Sequence, residues 1–278
     1  MPTGPSYALL DCGNGRRLER FGRVVTDRPA PVATWAPALP HADWSAATLA
    51  FDRATGWSGT APDDWTVEVA GVRMALRPSP AGQVGVFPEH AEHWARILAA
   101  VRGAGRPIAV LNAFGYTGGG TIAACSPGVE ACHVDASASA VAWARRNAEL
   151  NGLAGHPVRW IVDDVTKFLR REARRGRRYD AVVLDPPAFG RGKGGATWLL
   201  ERDLPPLVDA VAEVLSPAPL FVLLTAHPPG WSPDDLAAFL GRAPFAGRGR
   251  VEAGATMLRA DGGGNPLPCG LWAWWGRS

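Results

Sequence analysis

The stretch Tyr179-Asp180-Ala181-Val182-Val183-Leu184-Asp185-Pro186-Pro187-Ala188-Phe189 sets the tightest limit on how this chain can fold. Four apolar residues in succession between polar ones read as a short buried strand. Proline has no amide donor and cannot continue a central ladder, so Pro186 and Pro187 end the strand abruptly. The stop gathers a carboxylate, unpaired backbone carbonyls and the Phe189 ring in one small space. In an open α/β sheet that space is the carboxyl edge of the strands, where ligands bind. Acceptors beside a flat ring suit a planar nitrogenous group such as a nucleobase. Taken alone, the same residues also fit a Pro-terminated strand whose Asp caps the next turn.

From about residue 91 onward, helical and strand patterns alternate. A helix over 91–101 leads to a strand at 108–111, a Gly-rich loop, a helix and a strand at 129–134. The next helix, over 139–150, stops at Asn151-Gly152, a C-terminal cap signal. A strand at 158–162 and a helix over 166–175 precede the Asp-Pro-Pro strand. A helix over 204–215, a strand at 220–224, a helix over 234–240 and strands at 250–258 and 268–275 complete the pattern. Such alternation predicts a mainly parallel sheet with helices on both faces. The last two strands, joined only by a loop, predict a terminal antiparallel hairpin. The expected fold class is α/β, a seven-stranded Rossmann-like sheet with a small β-rich domain before it. The expected domains cover 1–85 and 86–278.

Residues 1–85 read as strands and turns. Tyr7 to Gly15 ends in the turn signal Asn14-Gly15, and the run 18–25 follows, predicting a hairpin. A Pro-rich connection (Pro29, Pro31, Pro37, Pro40) leads to two alternating runs, 65–69 and 72–77, and a second predicted hairpin. Trp35, Trp44, Trp57, Trp65 and Trp94 are expected as core anchors rather than a base-stacking platform.

Composition narrows the class. The 278 residues are 47% hydrophobic and 20% charged, as in a soluble globular protein. No apolar run reaches the roughly 18 residues of a membrane span. Met1 to Pro5 shows no basic region followed by an apolar stretch, so no secretory signal is expected. Cys12, Cys125, Cys132 and Cys269 are scattered without a CxxC pair, which predicts reduced thiols in a cytoplasmic protein. The six histidines show no ligand spacing with a cysteine, so no metal is expected. A net charge of +3 is too mild to assign a polyanionic partner.

The predicted strand ends carry the chemistry. The first exits into Asn112-Ala113-Phe114-Gly115-Tyr116-Thr117-Gly118-Gly119-Gly120, whose glycines let backbone approach a ligand and whose following helix offers free amides. The dinucleotide fingerprint GxGxxG is not matched, which counts against a nicotinamide dehydrogenase. The second strand ends at Asp135, about 20 residues on, where a carboxylate can bind a ribose diol. The third ends at Asp163-Asp164, placed to accept from an adenine amino group. The fourth ends at Asp185. Each feature alone is common at strand ends; the ordered set of four is not.

That set resembles the signature of the class I S-adenosylmethionine-dependent methyltransferases. A narrower resemblance spans residues 83–225. It rests on Leu111-Asn112-x-Phe114-x-Tyr116-Thr117-Gly118-Gly119, Val134-Asp135-x-Ser137, Ala144-Arg145-x-Asn147-x-Glu149-Leu150-Asn151-Gly152, Asp163-Asp164-Val165 and Leu184-Asp185-Pro186-Pro187-x-Phe189. These look like the bacterial 23S rRNA methyltransferases acting on cytosine carbon 5 or guanine nitrogen 7. Gly13-x-Gly15-Arg16-x-Leu18-Glu19-Arg20-Phe21-Gly22 and Gly85-Val86-Phe87-Pro88-Glu89 resemble a shorter branch of that family, without its PUA-type or THUMP-type RNA-binding domains. The resemblance implies S-adenosyl-L-methionine as cofactor, held by Phe87, Asn112, Phe114, Tyr116, Thr117, Gly118, Gly119, Asp135, Ser137, Asp164, Val165 and Asp185. Tyr116 to Gly119 would cradle the methionine part, Asp135 the ribose and Asp164 the adenine, while Phe87 would close over the cofactor. The branch usually has Gln where this chain has His90.

Asp185, Pro186, Pro187 and Phe189 are the expected catalytic group. A carboxylate and proline carbonyls can hold the donor side of a base nitrogen, and Phe189 can stack on the ring. Cytosine carbon 5 needs a cysteine thiolate to activate it. Relatives with that chemistry carry the cysteine just after the fifth strand; here the residues are Leu224-Thr225-Ala226-His227-Pro228-Pro229. RNA, large-subunit rRNA in particular, is the expected substrate and partner, modified on a base nitrogen. A small-molecule or protein methyltransferase, and a non-catalytic nucleic-acid-binding protein with a vestigial pocket, remain the alternatives. Arg170, Arg171, Arg174, Arg175, Arg177 and Arg178, and the run Arg191-Gly192-Lys193-Gly194-Gly195, read either as solvated faces or as phosphate contacts. His227 reads as an exposed residue or a substrate contact.

Overall fold

Asn14 and Gly15 turn the chain sharply. Strand β1 (Tyr7–Gly13) pairs antiparallel with β2 (Arg16–Phe21), and Asn14 takes a φ of 50°, the left-handed region a type I′ hairpin requires. The predicted run 18–25 is cut by a second tight turn, so that Phe21 faces Val24 and a third strand, β3 (Val24–Pro29), begins. A short helix α1 (His41–Ser45) and strands β4 (Leu49–Asp52) and β5 (Gly56–Gly59) follow. The order β1-β2-β3-β4-β5 makes one five-stranded sheet. The second expected hairpin is present as β6 (Thr66–Val69) and β7 (Val72–Ala75), turning at Ala70 with φ 49°.

This computed structural model describes residues 6–191, 197–228, 230–261 and 263–277. Residues Gly192 to Gly195 of the basic run lie outside the described residues. The chain divides into two compact units, Met1–Glu92 with Met257–Cys269, and His93–Thr256 with Gly270–Ser278. In the first unit the tryptophans act as anchors. Trp65 is buried and donates to the Phe21 carbonyl, Trp35 to that of Cys12 and Trp57 to that of Ser79, while Trp44 donates to the Asp11 carboxylate. Trp35, Trp44 and Trp57 are half-buried, and pairing each indole N–H leaves no unmet donor as the rings pack inward.

The Arg16 to Phe21 strand carries a buried charge. Glu19 is fully buried and accepts from Arg28 Nε at 2.9 Å and from Tyr7 Oη at 3.1 Å, with Arg17 Nε 3.2 Å away. Arg28 is 1% exposed and also donates to the Gly82 carbonyl and to Gln83. Burial opposes ionisation of Glu19, but the Arg17 and Arg28 guanidiniums outweigh it and hold the carboxyl below its usual range.

Helix α2 (Ala91–Arg102) leads into the second unit, where β8 (Ile108–Ala113), α3 (Gly119–Ala124), β9 (Val129–Asp135), α4 (Ala138–Leu150), β10 (Val158–Val162), α5 (Val165–Arg174) and β11 (Ala181–Leu184) alternate. A ribbon of β12 (Phe189–Arg191) and β13 (Thr197–Leu199) precedes α6 (Leu200–Val214) and β14 (Phe221–Ala226). Helix α7 (Pro233–Leu240) and the strands β15 (Arg250–Leu258) and β16 (Leu267–Gly276) follow. Helix α6 starts four residues before the prediction. Leu200 and Leu204 both enter the core one turn apart, and the Asp203 carboxylate takes the Leu199 amide at 2.8 Å.

The seven-stranded sheet has the order β10-β9-β8-β11-β14-β16-β15. The first five strands are parallel and β16 runs antiparallel to β14. The expected seven strands are these seven. Strands β11 and β14 are buried along their whole length, as parallel strands covered on both faces must be. Strand order reverses between β8 and β11, which opens a crevice at their carboxyl ends.

Replacing Glu19 by Gln would leave the buried Arg28 guanidinium, and the half-buried Arg17 beside it, without their carboxylate. The expected loss is about 3–5 kcal/mol in denaturant unfolding. Arg23→Gln, which removes only the exposed pair with Asp64, is expected to change it by less than about 1 kcal/mol.

Candidate functional site

Register brings the strand ends together. Ala113 lies beside Val134 on one side and Leu184 on the other, and Leu184 lies beside Leu224. Phe114, Asp135, Asp185 and Thr225 therefore stand side by side at this edge of the sheet. Val162 pairs with Asp135, so Asp163 and Asp164 join the same edge.

The loop after β8 is held in a conformation its residues would not choose. Phe114 and Tyr116 have φ values of 59° and 47°, left-handed backbone that is uncommon for bulky side chains. Three contacts impose it. The Tyr116 amide donates to Asp135 Oδ2 at 2.9 Å, and the Asn147 side chain donates to the Thr117 carbonyl at 2.8 Å. Beneath the loop, a Cβ on Gly115 would stand 2.4 Å from His133 Cε1, so only glycine lets the backbone lie there. Gly118, with φ 91°, then turns the chain into α3.

His133 is fully buried and belongs to a polar row. Asn112, His133 and Trp160 are register neighbours on adjacent strands. Asn112 donates to Thr121 Oγ1 at 2.8 Å, and that oxygen lies 2.9 Å from His133 Nδ1. Burial pushes the His133 pKa down to about 4, and the Tyr116 backbone offsets this only in part. The imidazole is neutral, which lets the Thr121 hydroxyl donate to Nδ1.

Asp135 is the hub of this end. Its Oδ1 takes the Ser137 amide at 2.8 Å, and Ser137 caps α4 by accepting from the Ala140 amide. Each carboxylate oxygen has two acceptor positions, so one amide per oxygen leaves room for a pair of hydroxyls. Asp164 caps α5, taking the Lys167 amide at 2.9 Å, and Asp163 pairs with Arg171 at 2.7 Å. Val165 is the first residue of α5, where a helix amide has no internal partner.

At the other side of the crevice, Thr225 Oγ1 donates to Asp185 Oδ1 at 2.5 Å. Pro186 is buried, while Pro187 and Phe189 are exposed. The Pro187 carbonyl accepts from Trp198 Nε1 at 2.7 Å, and the Trp198 ring lies 5.5 Å from that of Phe114.

Most of the expected residues thus meet at one edge. Asn112 is there but 5% exposed, supporting the loop from below. Phe87 lies in the first unit, edge-on to His90 with ring centres 6.3 Å apart. His227 is exposed, its ring packed against Gly270. Arg170, Arg174, Arg175, Arg177 and Arg178 are exposed at the far end of α5 and beyond it, near the opposite edge of the sheet. His133, Thr121, Thr225 and Trp198 were not among the expected site residues. A conventional strand pattern conceals His133, whose side chain replaces the apolar residue expected at an inward position.

Residues 23–244 match the model of the S-adenosylmethionine-dependent methyltransferase family. The chain belongs to that family. A structure described as the SAM-dependent methyltransferase from Agrobacterium tumefaciens is 38% identical, with a TM-score of 0.92 over 98% of this chain and 91% of that one. Among curated methyltransferases, the ribosomal RNA large subunit methyltransferase K of Neisseria meningitidis serogroup B is 31% identical over 161 residues, 57% of this chain and 44% of that protein. The ribosomal RNA large subunit methyltransferase I of Aeromonas salmonicida is 47% identical over 85 residues, 30% of this chain and 22% of that protein. The chain therefore spans less than half the length of these curated relatives.

The methyltransferase cofactor, S-adenosylmethionine, fits the donor set at this edge. An adenosine carries a vicinal diol for a carboxylate such as Asp135, and an amino group for one such as Asp164.

A pH test follows from His133. In the unfolded chain its pKa is near 6.5 and in the folded chain about 4, so it favours folding less as pH falls between those values. Wild-type unfolding free energy is expected to fall over that window by up to about 3 kcal/mol more than that of His133→Gln, read from urea curves.

Proposed function

We propose that this chain transfers a methyl group from S-adenosylmethionine to a base nitrogen of RNA, with large-subunit rRNA the favoured substrate. The observation that carries the reading is the adjacency of Ala113 and Leu184 across the switch point. It sets the Tyr116–Asp135 clasp next to Asp185-Pro186-Pro187-Ala188-Phe189, a cofactor side beside an acceptor side.

Tyr116 to Gly119 hold the methionine part, Asp135 and Ser137 the ribose, and Asp164 with the Val165 amide the adenine. Bound there, the cofactor supplies an electrophilic sulfonium methyl group that needs only a correctly placed lone pair behind it. Asp185, oriented by Thr225, accepts from the acceptor nitrogen, and Phe189 supports the ring. Because Trp198 already occupies one position on the Pro187 carbonyl, Asp185 and the Pro186 carbonyl are the acceptors assigned to the base.

Nitrogen is favoured over cytosine carbon 5 because no thiol is prepared to attack. All four cysteines are free, and burial pushes Cys125 and Cys269 up to about 12 and Cys132 up to about 11. RNA is favoured because the curated relatives above are named as methyltransferases of ribosomal RNA.

Two measurements test this. Asp135→Ala is expected to weaken S-adenosylmethionine binding about 10–100-fold by calorimetry, and by more than Asp185→Ala does; the reverse order contradicts the assignments. Mass mapping of rRNA nucleosides from a strain lacking the gene is expected to show one methylated base missing, restored by wild type and not by Asp185→Ala. An unchanged nucleoside profile contradicts the RNA reading.

A further inference from the structure

The ribbon β12–β13 has two unlike faces. Register pairs Phe189 with Leu199 and Gly190 with Trp198, so the members of each pair share a face. Phe189 and Leu199 are 58% and 42% exposed, an apolar pair left open to solvent. The other face turns Trp198 back toward the sheet, where its N–H bonds the Pro187 carbonyl and its ring reaches Phe114.

The ribbon is anchored to α6 as well. The Leu199 amide donates to Asp203 and the Leu200 amide to the Ala188 carbonyl. Ala188 and Pro187 are thereby held from one short segment, 198–200. A proline pair has no amides of its own with which to fix its position. The Pro187 and Ala188 carbonyls are therefore held by the Trp198 side chain of β13 and by the Leu200 amide at the start of α6.

We infer that Trp198 is a positioning residue for methyl transfer. It fixes the Asp185–Phe189 backbone against Phe114, the first residue of the cofactor loop, and so sets the distance between acceptor and methyl group. The inference rests on the methyltransferase reading above. Trp198 acts through Pro187 and Phe114 and takes no part in the bond exchange itself. Loss of its N–H leaves the Asp135 and Asp164 contacts untouched, so cofactor affinity is conserved while turnover falls.

Trp198→Phe tests this, since it keeps an aromatic ring beside Phe114 and removes the N–H together with part of the bicycle. In spectra of protein labelled with ¹⁵N at the indoles, the signal missing from the variant identifies Trp198. Its exchange in wild type is expected to be at least about tenfold slower than that of a free indole; exchange at the free rate overturns the inference. With rRNA from the gene-deletion strain and labelled S-adenosylmethionine, the variant is expected to lose about tenfold in kcat with unchanged cofactor Kd and melting temperature. Unchanged kcat, or a parallel loss of cofactor affinity, overturns it. Wild type that transfers no label to this RNA refutes the RNA reading instead, and the indole exchange then decides the Trp198 bond by itself.

Discussion

The Asp135 carboxylate is the constraint on which the site depends. One oxygen takes the Tyr116 amide and the other that of Ser137, so a single side chain ties the loop after β8 to the start of α4. The loop it ties is strained, with two bulky residues in left-handed backbone. Such a conformation persists only where the surroundings over-determine it. Here Asn147 pulls on the Thr117 carbonyl from the side and His133 fills the space beneath Gly115. The Gly115, Tyr116 and Gly118 amides are all bonded within the protein, to Val134, Asp135 and Gly115.

The polar row under the loop is buried and consists of neutral groups. Asn112, Thr121 and His133 are linked without a formal charge, so the low dielectric of the sheet does not penalise them as it would an ion, although His133 Nε2 has no hydrogen-bond partner among the described residues. The first unit handles burial differently. There Glu19 and Arg28 are a true buried ion pair, supported by Tyr7 and Gln83. This gives the Leu18-Glu19-Arg20-Phe21 part of the N-terminal resemblance a physical meaning. Glu19 is a structural residue whose partners Tyr7, Arg17 and Arg28 lie on three strands, and Arg28 in turn reaches the segment at 82–83.

The architecture of the second unit was legible because its signals are local. Apolar runs of four or five residues marked β8, β11 and β14, helix–strand alternation placed β9 and β10 between them, Asn151-Gly152 marked the end of α4, and two prolines marked the end of β11. The acidic strand ends followed from the same punctuation. What escaped has physical reasons too. Strands β4 and β5 are only four residues each, and the pairing of β4 with β3 and of β5 with β4 supplies the order that propensity lacks. His133 was hidden because a strand position shows its burial only once the layers are assembled. Trp198 was hidden because its partner, the Pro187 carbonyl, is backbone and has no sequence signature.

The central claim is that the carboxyl edge of β8, β9 and β10 is a preformed cofactor cradle. Hydrogen exchange with and without S-adenosylhomocysteine tests it most directly. The account predicts slower exchange in the peptides spanning 114–119, 135–137 and 163–166, with little change in the five-stranded sheet of the first unit. Binding without protection at those three places, or protection confined to other parts of the chain, would contradict it.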